Sequence, residues 1–419
     1  MKHTLINADV IKGLQKLPVQ SVHTVVTSPP YWSLRDYGIE GQIGLEETPE
    51  AHIQKIVEVF REVRRVLRDD GTLWLNYGDC YTSGNKTGHG SKIGWKQQTN
   101  RGSDGLRDAP RLPMPAGLKN KDLVGMPWRI ALALQEDGWY LRCDIVWNKP
   151  NPMPESVNDR PTRSHEYIFL MTKSPQYFYD AEAIRENVSG GAHHRGDYKG
   201  DLPKTANPGK RIKNNSSFTK ACWGSSDPRV SSSSRNLQGH SGNLNSEGKP
   251  LCDKFSRNAR SVWTIPTQPR PDAHFATFPD ELARRCILAG TSEYGCCPHC
   301  GTPWVRIVKT EGGTTGQGWH DHSNDLQKGQ IAPPSSSFKD YRRYTEGWTS
   351  SCTCEKNTPI PCTVLDPFGG SGTVADIARE QNRSSILIEI NPSYVEMQKQ
   401  RLRADEQLDT GICQIEIIT

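Results

Sequence analysis

Short strand-like runs alternate with segments of helical periodicity at both ends of the sequence, and this alternation limits the folds that the chain can adopt. The apolar runs have the length of buried strands, and each longer segment between them repeats apolar residues at helical spacing. The strand-like runs lie at residues 22–26, 72–76, 363–366 and 385–390, and the helical segments lie at residues 49–68 and from residue 374. The pattern predicts an α/β fold of the Rossmann-like, doubly wound type, with a mostly parallel sheet.

Composition indicates long loops around a modest core, because hydrophobic residues make up only 34% of 419 residues while glycine and proline are frequent. Positive charge is concentrated in two polar segments. Residues 181–260 hold 14 Lys and Arg against 7 Asp and Glu, and residues 81–120 hold 7 against 2. Either they are solvated loops, or they favour a polyanionic partner such as double-stranded DNA.

The sequence contains no apolar run long enough to cross a membrane and no signal-peptide pattern after Met1, so a cytoplasmic protein is expected. In that compartment the 12 cysteines are not expected to form a disulfide framework. Paired cysteines therefore indicate a metal site, and single ones indicate core packing.

A glycine-rich turn, Asp366-Pro367-Phe368-Gly369-Gly370-Ser371-Gly372, follows the strand at 363–366 and precedes a helix. Glycines there allow the backbone to approach a ligand closely, at the strand end where ligands bind in open sheets. Glu389 ends the next strand, where an acidic side chain commonly accepts hydrogen bonds from ribose hydroxyls. Together these residues predict a site for a nucleoside cofactor, although the turn alone is also compatible with a simple tight connection.

A second motif, Ser28-Pro29-Pro30-Tyr31, ends the strand at 22–26. Two prolines remove two N–H donors, which leaves carbonyl groups that can only accept hydrogen bonds. Ser28 and the Pro29 carbonyl could therefore accept hydrogens from an amino group, while Tyr31 offers a face on which a planar base can stack. The alternative is a Pro-Pro turn with packed aromatic residues.

The two motifs together resemble the DNA methyltransferases that modify the exocyclic amino group of cytosine N4 or adenine N6. The proline motif precedes the glycine motif, which is similar to the permuted, beta-type order of that family. The resemblance covers about residues 1–76, 123–180, 255–294 and 362–404. It implies S-adenosylmethionine as the cofactor and double-stranded DNA as the substrate.

The resemblance also implies roles for individual residues. The proline motif would be catalytic, Asp9 would contact the cofactor adenine, and Phe278-Pro279 would close over the methionine end. The loop residues Asp366, Phe368, Gly370 and Gly372 would line the cofactor site, and Glu389 would hold the ribose. Asp9 could instead be a turn residue, Phe278 a core residue and Pro279 a residue of a helix's first turn.

The implied mechanism turns the target base out of the duplex and places its amino nitrogen in line with the sulfonium methyl group. Ser28 favours cytosine N4, because the family's adenine enzymes usually carry Asp or Asn at this position. Adenine N6 remains the alternative, as does a protein or RNA methyltransferase or a silent DNA-binding protein. A cognate restriction nuclease is a candidate partner.

Four cysteines have the spacing of zinc ligands: Cys297 and Cys300 form a C-x-x-C pair, and Cys352 and Cys354 form a C-x-C pair about 50 residues later. Structural zinc would close a ribbon-like insert without a large core, whereas a redox pair is the alternative. Cys296 and His299 are substitute ligands.

The expected organisation has four parts. Residues 1–180 form the catalytic half, with a mobile loop at 78–122, and residues 181–260 form a target-recognition region or a linker. Residues 261–294 and 359–419 form the cofactor-binding half, which is interrupted by the cysteine-rich insert at 295–358.

Overall fold

The structure is a computed structural model. It describes residues 1–34, 38–82, 116–187, 256–268, 279–311, 342–354, 358–403 and 414–418. Most of the expected target-recognition region, the centre of the expected loop at 78–122, and Phe278 lie outside the described residues.

The strands of the described residues are β1 (Lys2–Asn7), β2 (Val22–Thr27), β3 (Leu67–Tyr77), β4 (Tyr140–Asn148), β5 (His165–Thr172), β6 (Glu186–Asn187), β7 (Ser256–Arg257), β8 (Val262–Thr264), β9 (Val305–Glu311), β10 (Arg342–Thr349), β11 (Thr363–Asp366), β12 (Ser384–Glu389) and β13 (Gln414–Ile418). The helices are α1 (Val10–Gln15), α2 (Pro49–Val66), α3 (Met126–Glu136), α4 (Asp280–Gly290), α5 (Thr373–Glu380) and α6 (Pro392–Arg403).

Nine of these strands form one sheet in the order β13-β1-β12-β11-β2-β3-β5-β4-β8. The pairs from β13 to β3 are parallel, whereas β5 is antiparallel to both β3 and β4, and β4 pairs in parallel with β8. The predicted α/β fold with a mostly parallel sheet is thus confirmed.

Helix α2 shows how the sequence produces its local structure. Thr48 accepts a 3.1 Å hydrogen bond from the amide of Ala51, and Pro49 occupies the first turn, where its missing N–H is not needed. One face of the helix is apolar and buried, including Ile56, Val59 and Phe60. This face packs in the same hydrophobic core as the sheet residues Val25 and Leu73.

The start of β3 differs from the prediction. The sequence predicted a helical segment to residue 68 and a strand from residue 72, but the strand begins at Leu67, and the pairing of β2 with β3 shifts register between Val22 and Thr24. A Cβ atom at Gly71 would lie 2.8 Å from the carbonyl oxygen of His23, so glycine is required by the close approach of the two strands.

The described residues divide into two compact units. The first consists of residues 1–184, 260–305 and 350–419 and contains the nine-stranded sheet. The second consists of residues 185–259 and 306–349, where β6 pairs with β7 and β9 with β10. None of the helices in the described residues combines the length and apolarity that crossing a membrane would require.

Candidate active site and cysteine centre

Both predicted motifs lie at the carboxyl edge of the sheet, on neighbouring strands. Strand β11 leads through α5 to β12 on one side, whereas β2 leads through α2 to β3 on the other. The chain therefore reverses its winding direction between β11 and β2. A reversal of this kind opens a crevice beyond the strand ends, which is where open α/β sheets bind their ligands.

The glycine-rich loop is held against the end of β12 by Glu389. The amide of Gly370 donates a 2.8 Å hydrogen bond to Glu389 Oε2, and the amide of Asn391 donates one of 2.8 Å to Oε1. Gly370 and Gly372 have φ values of 46° and 85°, a region that favours glycine. Burial raises the pKa of Glu389, although the two hydrogen bonds oppose that effect.

Gln398 is a member of this site that sequence reasoning missed. Its side chain is buried on α6 and donates a 2.8 Å hydrogen bond to the carbonyl of Gly370. Its other polar atom, Oε1, has no partner among the described residues, and neither does the buried hydroxyl of Ser371 in the same loop. Buried polar atoms of this kind normally find a partner, so the loop fits a polar ligand such as the nucleoside portion of S-adenosylmethionine.

Asp366 connects the two motifs. Its Oδ1 accepts a 2.7 Å hydrogen bond from the hydroxyl of Thr27 and one of 3.0 Å from the amide of Phe368. Burial raises the pKa of Asp366 to about 7, while the hydrogen bond from Thr27 partly opposes the rise. The residue that precedes Ser28 is thus anchored to the first residue of the glycine-rich turn.

Ser28 and Tyr31 lie on the exit from β2, where Pro29 is buried and Pro30 is partly buried. The Ser28 hydroxyl donates a long hydrogen bond of 3.3 Å to the Tyr31 phenol. One face of the Tyr31 ring packs against Tyr77, with 4.6 Å between ring centroids. A base could therefore stack only on the part of the Tyr31 ring that Tyr77 leaves uncovered.

The phenol of Tyr31 faces two polar residues that sequence reasoning missed, Glu166 and Asn76. Its hydroxyl donates a 2.8 Å hydrogen bond to Glu166, and Asn76 Oδ1 lies 3.2 Å away. Lys149 forms an ion pair with Glu166. Because β5 runs antiparallel to β3 and β4, the first residues of β5 and the last of β4 lie at the same edge as Tyr31. A sequence without pairing information does not show this.

A second buried polar chain fixes the Tyr77 side of the pocket. The Tyr77 hydroxyl accepts a 2.9 Å hydrogen bond from the amide of Trp32 and donates one of 2.8 Å to His52, whose Nδ1 lies 2.7 Å from Glu46. Burial alone would raise the pKa of Glu46, but the hydrogen bond from His52 brings it below its ordinary value. Glu46 is therefore charged, which makes it an acceptor for the His52 N–H.

The remaining predicted residues show structural roles. Asp9 caps α1, since its Oδ1 accepts hydrogen bonds of 3.0 Å from Ile11 and 3.2 Å from Lys12, while Oδ2 takes part in neither bond. Pro279 is the buried residue just before α4 rather than a residue of its first turn. Their expected cofactor contacts stay predictions.

The four cysteines predicted as zinc ligands lie together. The sulfur atoms of Cys297, Cys300, Cys352 and Cys354 are all within 4.8 Å of one another. Tetrahedral zinc thiolates have sulfur atoms about 3.8 Å apart, given Zn–S bonds near 2.3 Å. A hydrogen bond with Thr302 lowers the pKa of Cys300 to about 6, whereas the hydrogen bond with Cys300 raises the pKa of Cys354 to about 12. A bound zinc ion would deprotonate both thiols, because the thiolate is the form that ligates metal. The donor set fits zinc.

The cysteine centre is attached to the sheet by two contacts. Arg68, in the irregular start of β3, donates a 2.6 Å hydrogen bond to the carbonyl of Cys300. The carbonyl of Gly301 lies 2.8 Å from His23 Nε2. His23 also approaches Cys296 and Cys362, but its Nδ1 accepts from the amide of Thr363 at 3.0 Å, so both ring nitrogens are engaged. The group formed by His23, Cys296 and Cys362 is therefore a packing feature, and Cys296 has this role rather than that of a substitute zinc ligand.

A model of the N6/N4 methyltransferase family, described as DNA methylase, matches residues 22–317 and 357–400. The chain is 37% identical over 412 residues to the Type II methyltransferase M.Cfr9I of Citrobacter freundii, covering 98% of this chain and 90% of the relative. It is 39% identical over 400 residues to the Type II methyltransferase M.XycI of Xanthomonas campestris pv. cyanopsidis, covering 96% and 87%. The solved PvuII DNA methyltransferase (cytosine-N4-specific) is more remote, with a TM-score of 0.47 and 13% identity over 96% of this chain and 87% of that one.

The family match includes the proline motif and the glycine-rich loop, the two features that the fold brings together at the reversal of the sheet. The chain belongs to the N6/N4 family of DNA methylases and is a site-specific, S-adenosylmethionine-dependent DNA methyltransferase that acts on an exocyclic amino group.

Proposed function

We propose that the protein methylates N4 of a cytosine that is turned out of duplex DNA. The observation that carries this proposal is the hydrogen bond from Thr27 to Asp366, because it fixes the proline motif beside the cofactor loop. A methyl donor in that loop and an amino group at Ser28 would then lie within one crevice.

The chain's own residues would act by position and polarity. Ser28 and the Pro29 carbonyl would accept the two amino hydrogens, which localises the lone pair on the nitrogen that is methylated. Glu389 and the backbone of the glycine-rich loop would hold the ribose and the rest of the cofactor, and Asp9 and Phe278-Pro279 would complete its binding site. S-adenosylmethionine supplies the electrophilic methyl group when bound.

The choice of cytosine over adenine is supported by Ser28, which stands where adenine enzymes of the family usually carry Asp or Asn. Direct-read sequencing of DNA from cells that express the protein would identify both base and sequence. We expect N4-methylcytosine at one short sequence, and no modification with Ser28→Ala. N6-methyladenine at a defined sequence would overturn the choice of base and leave the amino-group reaction standing.

We propose that residues 181–260 read the target sequence, because Arg, Lys, Asn and Gln are the side chains suited to base edges and this segment is rich in them. Deleting residues 200–250 should abolish methylation of DNA and leave the affinity for S-adenosylmethionine unchanged. Methylation at the original sites by the deletion variant would refute the assignment.

A cognate restriction nuclease is proposed as a partner in the cell, since the relatives are Type II methyltransferases. DNA methylated by the protein should become resistant to a nuclease encoded beside it. Cleavage of the fully methylated DNA by that nuclease would argue against the pairing.

We also propose that the four-cysteine centre holds one structural zinc ion. Its support is the arrangement of four sulfur atoms in one cluster, and its attachment to Arg68 at the start of β3 gives the ion a role in stabilising the sheet.

A further inference from the structure

The carboxylate of Glu166 is held from three sides at the edge of the active site. Its Oε2 lies 2.8 Å from the Tyr31 hydroxyl and 3.2 Å from Asn76 Nδ2, and its Oε1 is paired with the Lys149 ammonium group. Both members of the ion pair are mostly buried, with 16% and 18% of their side-chain surfaces exposed. A charge pair so little exposed has a fixed geometry, unlike one on the open surface.

The carboxylate determines the direction of the neighbouring hydrogen bonds. An ionised carboxylate only accepts, so the Tyr31 hydroxyl must be the donor in the bond to Glu166. Asn76 Oδ1 competes for the same proton at 3.2 Å, but the bond to Glu166 is shorter and assisted by its charge. Burial and the charge of Glu166 raise the pKa of Tyr31 well above its ordinary value, so the phenol keeps its proton.

The same reasoning extends to Ser28. Because Tyr31 uses its proton for Glu166, its oxygen is available as an acceptor, and the Ser28 hydroxyl is the donor at 3.3 Å. That contact is long, as hydrogen bonds in active sites without substrate often are. The single proton of Ser28 is then directed towards Tyr31, and the lone pairs of its oxygen are left for another donor.

We propose that Glu166, acting through Tyr31, is a positioning residue that makes Ser28 a hydrogen-bond acceptor for the amino group of the target base. This inference rests on the proposed function, in which Ser28 accepts an amino hydrogen. Lys149 balances the charge of Glu166, and Asn76 holds its Oε2 in place by donating to it while also donating to the carbonyl of Tyr167 at 3.1 Å. Without the carboxylate, the Tyr31 hydroxyl could rotate and donate to Ser28, which would then turn its own proton towards the substrate.

The alternative is that the pair of Glu166 and Lys149 only fastens β4 to β5. A structural role of this kind would affect folding and cofactor affinity, and it would act independently of the Tyr31 hydroxyl. Positioning of Ser28 by Glu166 through Tyr31 would instead affect the methyl-transfer step and would require the Tyr31 hydroxyl. A double-mutant cycle therefore distinguishes the structural role from the positioning role.

The test uses single-turnover transfer of a radiolabelled methyl group to duplex DNA that contains the recognition sequence. The full-length variants are Glu166→Gln, Tyr31→Phe and the double variant. We expect Glu166→Gln to slow transfer about 10- to 100-fold, to leave the Kd for S-adenosylmethionine within about twofold, and to cause no further loss when Tyr31→Phe is already present. The matched control is Glu58→Gln, which removes an exposed ion pair with Lys55 on α2 and should transfer at the wild-type rate.

A wild-type rate for Glu166→Gln would overturn the positioning role of Glu166. So would a double variant whose rate loss equals the product of the losses measured for Glu166→Gln and Tyr31→Phe. If Glu166→Gln folds poorly, Glu166→Asp replaces it, because it keeps a negative charge beside Lys149 and withdraws it from Tyr31. It should show the same loss, and a wild-type rate would count against the proposal. Failure of the wild-type protein to label DNA would refute the proposed function itself. If the wild-type protein labels DNA but the rate losses of the two substitutions are independent of each other, only the role of Glu166 is refuted.

Discussion

The hydroxyl of Thr27 donates a 2.7 Å hydrogen bond to Oδ1 of Asp366, across 339 residues of sequence. Both residues are almost completely buried, and their strands are direct neighbours in the sheet. Thr27 precedes the proline motif, and Asp366 begins the glycine-rich turn. The bond therefore couples the position of the catalytic residues to that of the cofactor loop.

Removing this hydroxyl should weaken both functions of the site. Thr27→Val keeps the shape of the side chain but leaves Asp366 Oδ1 with a single donor, the amide of Phe368. We expect the free energy of unfolding to fall by about 1–3 kcal/mol and the Kd for S-adenosylmethionine to rise. Denaturant titration and calorimetry measure the two quantities. Thr27→Ser retains the hydroxyl as a control, and equal behaviour of the two variants would contradict the coupling.

The raised pKa of Asp366 predicts a specific dependence of stability on pH. In the folded protein the carboxyl group titrates near 7, above its ordinary value of 3.8, so between these values the folded state binds the proton more strongly than the unfolded state does. The stability that the group contributes is complete below about pH 4 and is lost as the pH rises through 7. The loss amounts to at most about 4 kcal/mol.

Asp366→Asn provides the comparison, because the amide oxygen can still accept from Thr27 and Phe368 but does not titrate. The wild-type free energy of unfolding minus that of the variant should decrease from pH 5 to pH 8, as measured by urea titration without cofactor. A constant difference across this range would show that Asp366 is ionised throughout.

Sequence reasoning was most successful where function depends on short, continuous segments. The turn from Asp366 to Gly372 and the motif from Ser28 to Tyr31 can be recognised in the sequence, because glycine and proline constrain the backbone locally. The α/β pattern predicted that each motif follows a strand, whereas the adjacency of those strands, β11 and β2, became known only from the sheet order. The C-x-x-C spacing likewise located the cysteine centre.

Residues that act through strand pairing could not be found in the same way. Lys149 and Glu166 are 17 residues apart in the sequence and form an ion pair. Glu166 reaches Tyr31 because β5 is antiparallel within an otherwise mostly parallel sheet. Gln398 supports the glycine-rich loop from a helix whose other buried residues are apolar. A charged or polar residue at the end of a strand is commonly solvated, so nothing in the sequence distinguished these side chains.

The cysteine centre should bind about one zinc ion per chain. Cys300→Ser would remove one of the four proposed ligands, and the backbone carbonyl of this residue accepts a hydrogen bond from Arg68, so zinc content and resistance to thermal unfolding should fall together. Metal content after dialysis and the Tm with and without a chelator are the measurements. Cys143→Ser is the control, because Cys143 lies on β4 and is not one of the clustered cysteines. Equal zinc content in the two variants would exclude Cys300 as a ligand.

Gly78 is predicted to be essential for the position of the Tyr31 ring. A Cβ atom at this buried position would lie 2.7 Å from Tyr31 Cε2 and 3.3 Å from Glu166 Cδ. Because Tyr77 already packs against the Tyr31 ring, the added methyl group of Gly78→Ala must displace the ring, Glu166, or both. We expect methyl transfer to slow about 10- to 100-fold, a typical effect of displacing a group at the reacting centre, while affinity for S-adenosylmethionine is retained. Gly347→Ala is the matched control, since an added methyl group there meets none of the described residues within 4 Å. Methyl transfer by Gly78→Ala as fast as by this control would contradict the prediction. It would mean that the Tyr31 ring can move without loss of activity and that its contacts with Tyr77 and Glu166 are not required for the reaction.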